Sequence, residues 1–432
     1  MLRSRLLPLL LGAALALPLS LSAAEPAPVS WVHADRVPAE ILALGDELVE
    51  IRRDLHRHPE LGFETARTCG VIKAELEKRG IRADLERFPG AVIAVVEGSR
   101  PGATVALRAD MDALAMPDLS GIEWKSTVPG RSHACGHDGH VAWLIGTLEV
   151  LEKRRDFPGR VVGIFQPAEE IGTGARRMIE AGVLDEFAPA EIYAGHATPE
   201  PPKGTIGVHA GPSQASCDFF RITLKGRGMH ASMPQHALDP VPTAALLTSS
   251  LQTIVSRRVD PVEPAVVTVS AVKGGDLQAP NVIAETLEMA GTVRTFSPKV
   301  RDLVETEIRR MTEHVAAAQG LTAEVRFDRL TPPLINAAGP AAAARAAVER
   351  TLGSGASFDT PLLMAAEDFA EFLNRVPGSM VQVGLGDEKH RAQIHNPAFD
   401  FNDEVLPAAV WFFSELARSR LEVLSAARKV SE

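Results

Sequence analysis

The sequence predicts an α/β protein: a layered domain with a mostly parallel sheet, into which a smaller α+β module is inserted. Three observations carry this. Short apolar strand-like segments alternate with helical patterns from Ala91 to Ala194. From Asp218 to Phe327 the order changes to βαββαβ, that of a ferredoxin-like unit. Acidic and imidazole side chains recur just after the strands of the first pattern, where open α/β sheets bind ligands.

The elements follow in order. Pro38 suits the first position of a helix, and Ile41, Leu44, Leu48, Ile51 and Leu55 recur at three- and four-residue steps as one apolar face. A second helix covers Thr65 to Arg79 and stops at Gly80. Ala91 to Val96 and Thr104 to Leu107 read as strands, Val141 to Leu151 as a helix, and Arg160 to Phe165 as a strand. Gly174 to Ala181 is a helix and Glu191 to Ala194 a strand. Asp218 to Leu224, Val266 to Val272, Thr286 to Val293 and Ala323 to Phe327 are the strands of the insert. Helices after Pro240 and over Val300 to Ala317 lie between them. A helix from Glu404 to about Leu424 closes the chain. The domains expected are residues 25–211 and 330–432 for the layered part and 212–329 for the insert.

Composition narrows the function classes. A chain of 432 residues has room for two domains, and 45% hydrophobic with 23% charged residues is ordinary for a soluble globular protein. A net charge of −10 with scattered Lys and Arg speaks against a nucleic-acid partner. Three distant cysteines, Cys69, Cys135 and Cys217, are too few for a disulfide scaffold. At the N-terminus, Arg3 and Arg5 precede an apolar run from Leu6 to Leu21 and the small residues Ser22-Ala23-Ala24. This reads as a signal peptide of residues 1–24, giving an exported protein, periplasmic or secreted, with no membrane segment in its mature form.

The chemistry concentrates in Ser132-His133-Ala134-Cys135-Gly136-His137-Asp138-Gly139-His140. Thiolate and neutral imidazole are ligands that zinc takes. A closed structural zinc site would need a further close Cys pair, which the chain lacks. Glu169-Glu170 follows an apolar strand, so one carboxylate can bind metal while the other handles protons. Asp110, Asp112 and His196 follow other strands, and His395 lies in Gln393-Ile394-His395-Asn396-Pro397. Taken alone, each is more often a solvated loop residue, and a lone His more often a hydrogen-bonded structural one; it is the recurrence of Asp110 and Asp112, Glu169 and Glu170, and His196 after three separate strands that raises the joint reading.

The ordered motifs resemble the M20 family of metallopeptidases in its amidohydrolase branch. They are Leu55 to Glu64, Arg108 to Leu114, His133 to Asp138, Phe165 to Glu170, Gly226 to Ala231, Asn281 to Ile283, Gly291 to Arg294, Glu367 to Phe369 and Ile394 to Pro397. That branch includes hippurate hydrolases, N-acyl-amino-acid amidohydrolases, aminobenzoyl-glutamate hydrolases and plant auxin-conjugate hydrolases. The resemblance implies two divalent ions (Zn, Mn, Co or Ni) bridged by Cys135 and completed by His137, Glu170, His196 and His395. It makes Glu169 the general base and Asp112 a carboxylate that orients a ligand. Asp110 stands where most other branches carry a metal-binding His. The insert becomes a lid through which a homodimer forms, with His230 reaching the partner's site and Asn281 and Arg294 near the substrate. The implied substrate is an N-acyl amino acid; a short peptide is the alternative. A non-catalytic metal or ligand carrier would show a damaged ligand set, and a redox role for Cys135 conflicts with a thiolate locked on metal.

Overall fold

The computed structural model describes residues 34–85, 87, 88 and 90–431. The proposed signal segment lies outside them. The first helical pattern is real but broken: Ala39–Leu42 and Gly45–Arg57 are separate helices, with Ile41, Leu44, Leu48, Ile51 and Leu55 all buried. Ala66–Lys78 follows, as its periodicity predicts.

An eight-stranded sheet forms the centre. Its four middle strands, Pro158–Gln166, Arg100–Asp110, Glu191–Pro202 and Gly378–Gly386, lie side by side in that order and run parallel. Val92–Glu97 joins Pro158–Gln166 antiparallel, and Ile206–Gly207 joins Gly378–Gly386 antiparallel. The middle strands are buried on both faces, the condition under which parallel sheets occur. Alternate side chains divide between two cores. Val105, Leu107, Val161 and Val381 face the helices His137–Lys153 and Leu406–Ser431. Ala106, Val162, Ile164 and Ile192 face Gly174–Glu180 and Ala370–Leu373.

A second sheet has the order Ala265–Gly274, Thr286–Thr295, Cys217–Lys225, Thr322–Thr331, all antiparallel. The helices Pro240–Arg257 and Pro298–Ala318 cover one face and share a separate apolar core with it. This is the βαββαβ order expected. The link back to the large sheet is short: Gly211–Gln214 pairs with Leu334–Asn336.

The strands run further than their apolar cores predict. Asp110 ends its strand rather than following it, and His196 lies within Glu191–Pro202 rather than beyond it. Hydrogen bonding to parallel neighbours carries these polar residues into the sheet edge. The last helix starts at Leu406, because Asp403–Val405 forms a 3₁₀ turn capped by Asn402. Among the described residues, no helix is long and apolar enough to cross a membrane.

Candidate metal centre and cleft

The carboxyl ends of the parallel strands deliver the expected residues to one place. Gly136, at φ +91°, turns the chain into the helix His137–Lys153, so Cys135 and His137 flank the helix start. An added Cβ at Gly139 would meet the Phe401 ring at 2.2 Å, so this first turn lies against the last helical segment's approach. After Pro158–Gln166 the chain turns sharply at Ala168, whose φ is +59° without being glycine. That backbone strain presents Glu169 and Glu170 together. His395 has the same unusual conformation, φ +60°, and its N–H donates to the Ala134 carbonyl at 2.7 Å.

Among the described residues, five donor triplets lie close enough to hold an ion, and two of them share Cys135: Cys135, His137 and His196, and Cys135, Glu170 and His395; the others are Asp110, His137 and His140, then His137, Glu169 and Glu170, then Glu169, Glu367 and Asp368. Cys135 Sγ lies 3.4 Å from His196 Nε2. His137 Nε2 lies 3.8 Å from Glu170 Oε1 and 4.0 Å from Glu169 Oε2, and His395 Nε2 lies 3.5 Å from Glu170 Oε2.

The ring tautomers favour metal. His137 Nδ1 lies 2.8 Å from the Asp112 carbonyl, and His196 Nδ1 lies 2.8 Å from the Ala197 carbonyl. A carbonyl only accepts, so both Nδ1 atoms carry hydrogen and both neutral rings aim an Nε2 lone pair into the cluster. His137 Nε2 and Glu170 Oε1 are buried with no hydrogen-bond partner. Unpaired buried polar atoms of this kind are costly, and an ion between them would satisfy both. Thiolate with imidazole and carboxylate suits zinc and its first-row neighbours rather than calcium or magnesium.

Charge gives the same answer. Burial, then Glu170, Glu169 and Asp110, push the Cys135 thiol well above its ordinary range. Burial, then Glu367 and Glu170, raise Glu169 well above the usual carboxylate range. Burial, with Asp112 and Asp110, lifts Glu170 to about 9. Burial lowers His137 well below the usual imidazole range, with His140 and His196 adding to it. The protein has gathered anionic ligands without enough protein cations, and a divalent ion reverses that balance.

Asp112 is buried, and burial with Asp110 as neighbour lifts it to about 8. Its two oxygens accept from the Glu169 N–H at 2.9 Å and the Glu170 N–H at 3.3 Å. It thereby fixes the turn carrying both glutamates, while its own carbonyl orients His137. Asp110 is held by His140 Nδ1 and by Arg108 Nη1 at 2.6 Å, and its Oδ2 also lies 3.6 Å from His137 Nε2. His140 Nε2 in turn accepts from the Ala197 N–H at 2.9 Å.

Several residues around the site had no assigned role in the sequence. Arg108 is buried and contacts Asp110, Gln166, Glu367 and Asp368. His56 sits between two carboxylates, Nδ1 2.8 Å from Asp138 and Nε2 3.2 Å from Asp118. The motif strings contained most of these residues, and spacing offered one signal: His137 and His140 share a helix face.

Cys135, Glu169, Glu170, His196 and His395 line a cleft of about 530 Å³, and His137 lies behind its wall. Leu330, Leu363, Ile394, Ala365 and Cys217 give it an apolar wall, and Gln214, Thr198 and Gln382 add neutral polar groups. His230, Asn281 and Arg294 are not among its lining residues. His230 is exposed on the pair Met229–His230 and Val282–Ile283, next to Asn281, whose carbonyl accepts from the Ala231 N–H at 2.8 Å. Arg294 contacts Thr292 Oγ1 and the Val293 carbonyl and lies near Cys217 at the cleft wall.

A layered α/β protein with such a thiol, imidazole and carboxylate cluster at its strand ends belongs to the metal-dependent hydrolases. Residues 106–419 match the model of peptidase family M20/M25/M40, and the chain belongs to that family. Within it, the chain is a metal-dependent amidohydrolase. It is 39% identical over 385 residues to N-acetylcysteine deacetylase of Bacillus subtilis, covering 88% of this chain and 99% of that protein. It is 36% identical over 406 residues to IAA-amino acid hydrolase ILR1-like 4 of Arabidopsis thaliana, covering 90% and 91%. The crystal structure of the Bacillus subtilis YXEP protein, described as a dinuclear metal binding peptidase, matches with TM-score 0.78 and 37% identity. That match covers 88% of this chain and 99% of the other.

Proposed function

We propose that this protein hydrolyses the amide bond of N-acyl amino acids with two divalent ions held by Cys135, His137, Glu170, His196 and His395. One observation carries the reading: two donor triplets share Cys135 and converge beside Glu169 on a cleft with a partly apolar wall. The names of the relatives support the substrate class. When bound, the ions would supply Lewis acidity to the scissile carbonyl and lower the pKa of the attacking water toward about 7. Glu169 takes a proton from the attacking water and returns it to the departing nitrogen. The C–N bond breaks, and a carboxylic acid and an amino acid leave.

His230 fits the role of oxyanion donor. The Ser232 N–H donates to His230 Nδ1 at 3.1 Å, so the neutral ring carries its hydrogen on Nε2. Because His230 and Asn281 do not line their own chain's cleft, we assign them to the cleft of a second copy in a homodimer. Arg294 is assigned to the substrate's carboxylate or acyl oxygen. We also assign the protein to an exported compartment, on the strength of residues 1–24; N-terminal sequencing that finds Met1 on the mature protein would overturn this.

The test is a panel of hippurate, N-acetyl amino acids and dipeptides, run with Zn, Mn, Co and Ni. Metal-dependent release of the amino acid from the acylated substrates is expected. Glu169→Gln should keep its metal and lose about 10²- to 10⁴-fold in turnover. Near-normal turnover in that variant removes Glu169 as base. Activity confined to dipeptides moves the protein to the peptidase reading.

A further inference from the structure

We propose that His390 is a positioning residue for His395: it ties together the two ends of the loop that carries this metal ligand. The inference rests on His395 being a ligand, as assigned above.

The loop leaves the central strand Gly378–Gly386 at Asp387 and rejoins ordered structure at Asp400, ahead of the turn Asp403–Val405. His390 bridges the two ends. Its Nδ1 lies 2.8 Å from Asp387 Oδ1, and its Nε2 lies 3.5 Å from Asp400 Oδ2. Burial opposes the ring's charge, but a carboxylate at each nitrogen outweighs it and raises His390 above the usual imidazole range. The other groups around the clamp are placed to keep Asp387 ionised and fixed. Asp387 accepts from the Lys389 and His390 N–H groups at 2.9 and 3.0 Å, from Asn402 Nδ2 at 2.9 Å and from Lys203 Nζ at 3.3 Å. Lys203 is shared with Glu404. Asp400 Oδ1 is buried with no hydrogen-bond partner, and His390 faces its other oxygen.

His395 needs such a clamp more than the other ligands do. Its side chain is 54% exposed, whereas that of His137 is 0% and that of Glu170 8%. Packing therefore fixes it least. Its backbone is in the left-handed region and is tethered at its own N–H to the Ala134 carbonyl. A strained conformation persists only when the surroundings over-determine it. Joining the loop's ends removes most of the loop's freedom before the ligand is placed, which lowers the entropy lost on metal binding.

The test compares binding of Co²⁺ to the metal-free full-length protein by chelator competition, in the wild type, His390→Ala, Asp400→Asn, His395→Ala and the double variant H390A/H395A. Supporting residues around metal ligands typically contribute 10- to 100-fold in affinity. His390→Ala is expected to weaken the weaker Co²⁺ step by about that factor, and Asp400→Asn by less. The double variant is expected to bind no more weakly than His395→Ala alone, because the clamp acts through His395. His390→Arg, which can fork two carboxylates, should recover part of the loss. The proposal is overturned if His390→Ala leaves both steps unchanged, or if its loss adds in full to that of His395→Ala. If His390→Ala does not fold, Asp400→Asn replaces it in the same cycle and the same two outcomes decide. If His395→Ala itself binds Co²⁺ normally, the ligand assignment fails and this proposal falls with it.

Discussion

Replacing His56 by Gln should change how stability depends on pH, with a sign and size that the structure sets. His56 is 1% exposed, and each ring nitrogen faces a carboxylate. Burial disfavours its charge, but Asp138 and the hydrogen bonds to Asp118 and Asp138 outweigh this and raise it from 6.5 to about 9. A folded pKa above the unfolded value means that the native state holds the proton more tightly. The stabilisation is full below pH 6.5 and is lost as pH rises through 9. A gap of roughly 2.5 pH units at 1.36 kcal/mol each corresponds to about 3 kcal/mol. Urea unfolding of the wild type and of His56→Gln, in EDTA from pH 6 to 10, measures it. EDTA keeps the pH dependence of metal binding out of the comparison. The stability difference should be largest near pH 6 and shrink by about 3 kcal/mol by pH 10, falling most steeply between 6.5 and 9. A difference that stays level across that window would refute an imidazolium at this position.

Two further outcomes follow from the same geometry. Cys135→Ser should lower the affinity for at least one ion, because a hydroxyl is a far poorer anionic ligand than a thiolate; two ions still held tightly, measured by elemental analysis, would take Cys135 out of the bridge. Mixing inactive Glu169→Gln with inactive His230→Ala chains under subunit exchange should restore one active cleft per mixed dimer, and proven heterodimers without recovered activity would sink the cross-subunit role of His230.

Much of the arrangement was legible because the signals were local. The apolar cores of the strands, the face of Ile41, Leu44, Leu48, Ile51 and Leu55, and the βαββαβ order all come from short-range periodicity. What stayed hidden was non-local. The strand Gly378–Gly386 sits between Glu191–Pro202 and Ile206–Gly207, a pairing that no nearby residue encodes. The contacts of Arg108 with Glu367 and Asp368 join residues some 260 positions apart. His390 carries no motif; only the meeting of Asp387 and Asp400 gives it a role. The reach of the strands through Asp110 and around His196 also escaped the periodicity, because polar residues end an apolar run before they end a hydrogen-bonded ladder.

The acidic residues around the site fall into two tiers, and the difference explains why the cleft should attract cations. Arg108 faces the lower tier. Its guanidinium contacts Asp110 at 2.6 Å, Glu367 at 2.9 Å and Asp368 at 3.0 Å, with Gln166 on its Nε. Asp368 is further occupied by Gln166 Nε2 and the Ala175 N–H, and Asp110 by His140. These carboxylates are held by protein groups and build the floor. Glu169 and Glu170 form the upper tier, held by the backbone tethers to Asp112, by the Cys135 thiol beside Glu170 and by the neighbouring rings of His137 and His395, with no Lys or Arg ion pair among the described residues. A single fixed guanidinium cannot balance both tiers, and its planar fork is already committed below. The uncompensated charge therefore points into the cleft. An ion arriving there meets preorganised donors rather than having to assemble them, so its binding free energy goes into affinity instead of loop ordering. The turn that carries both glutamates is fixed as well: Asp112 accepts from their backbone N–H groups, and the strained Ala168 sets the direction in which they leave the strand.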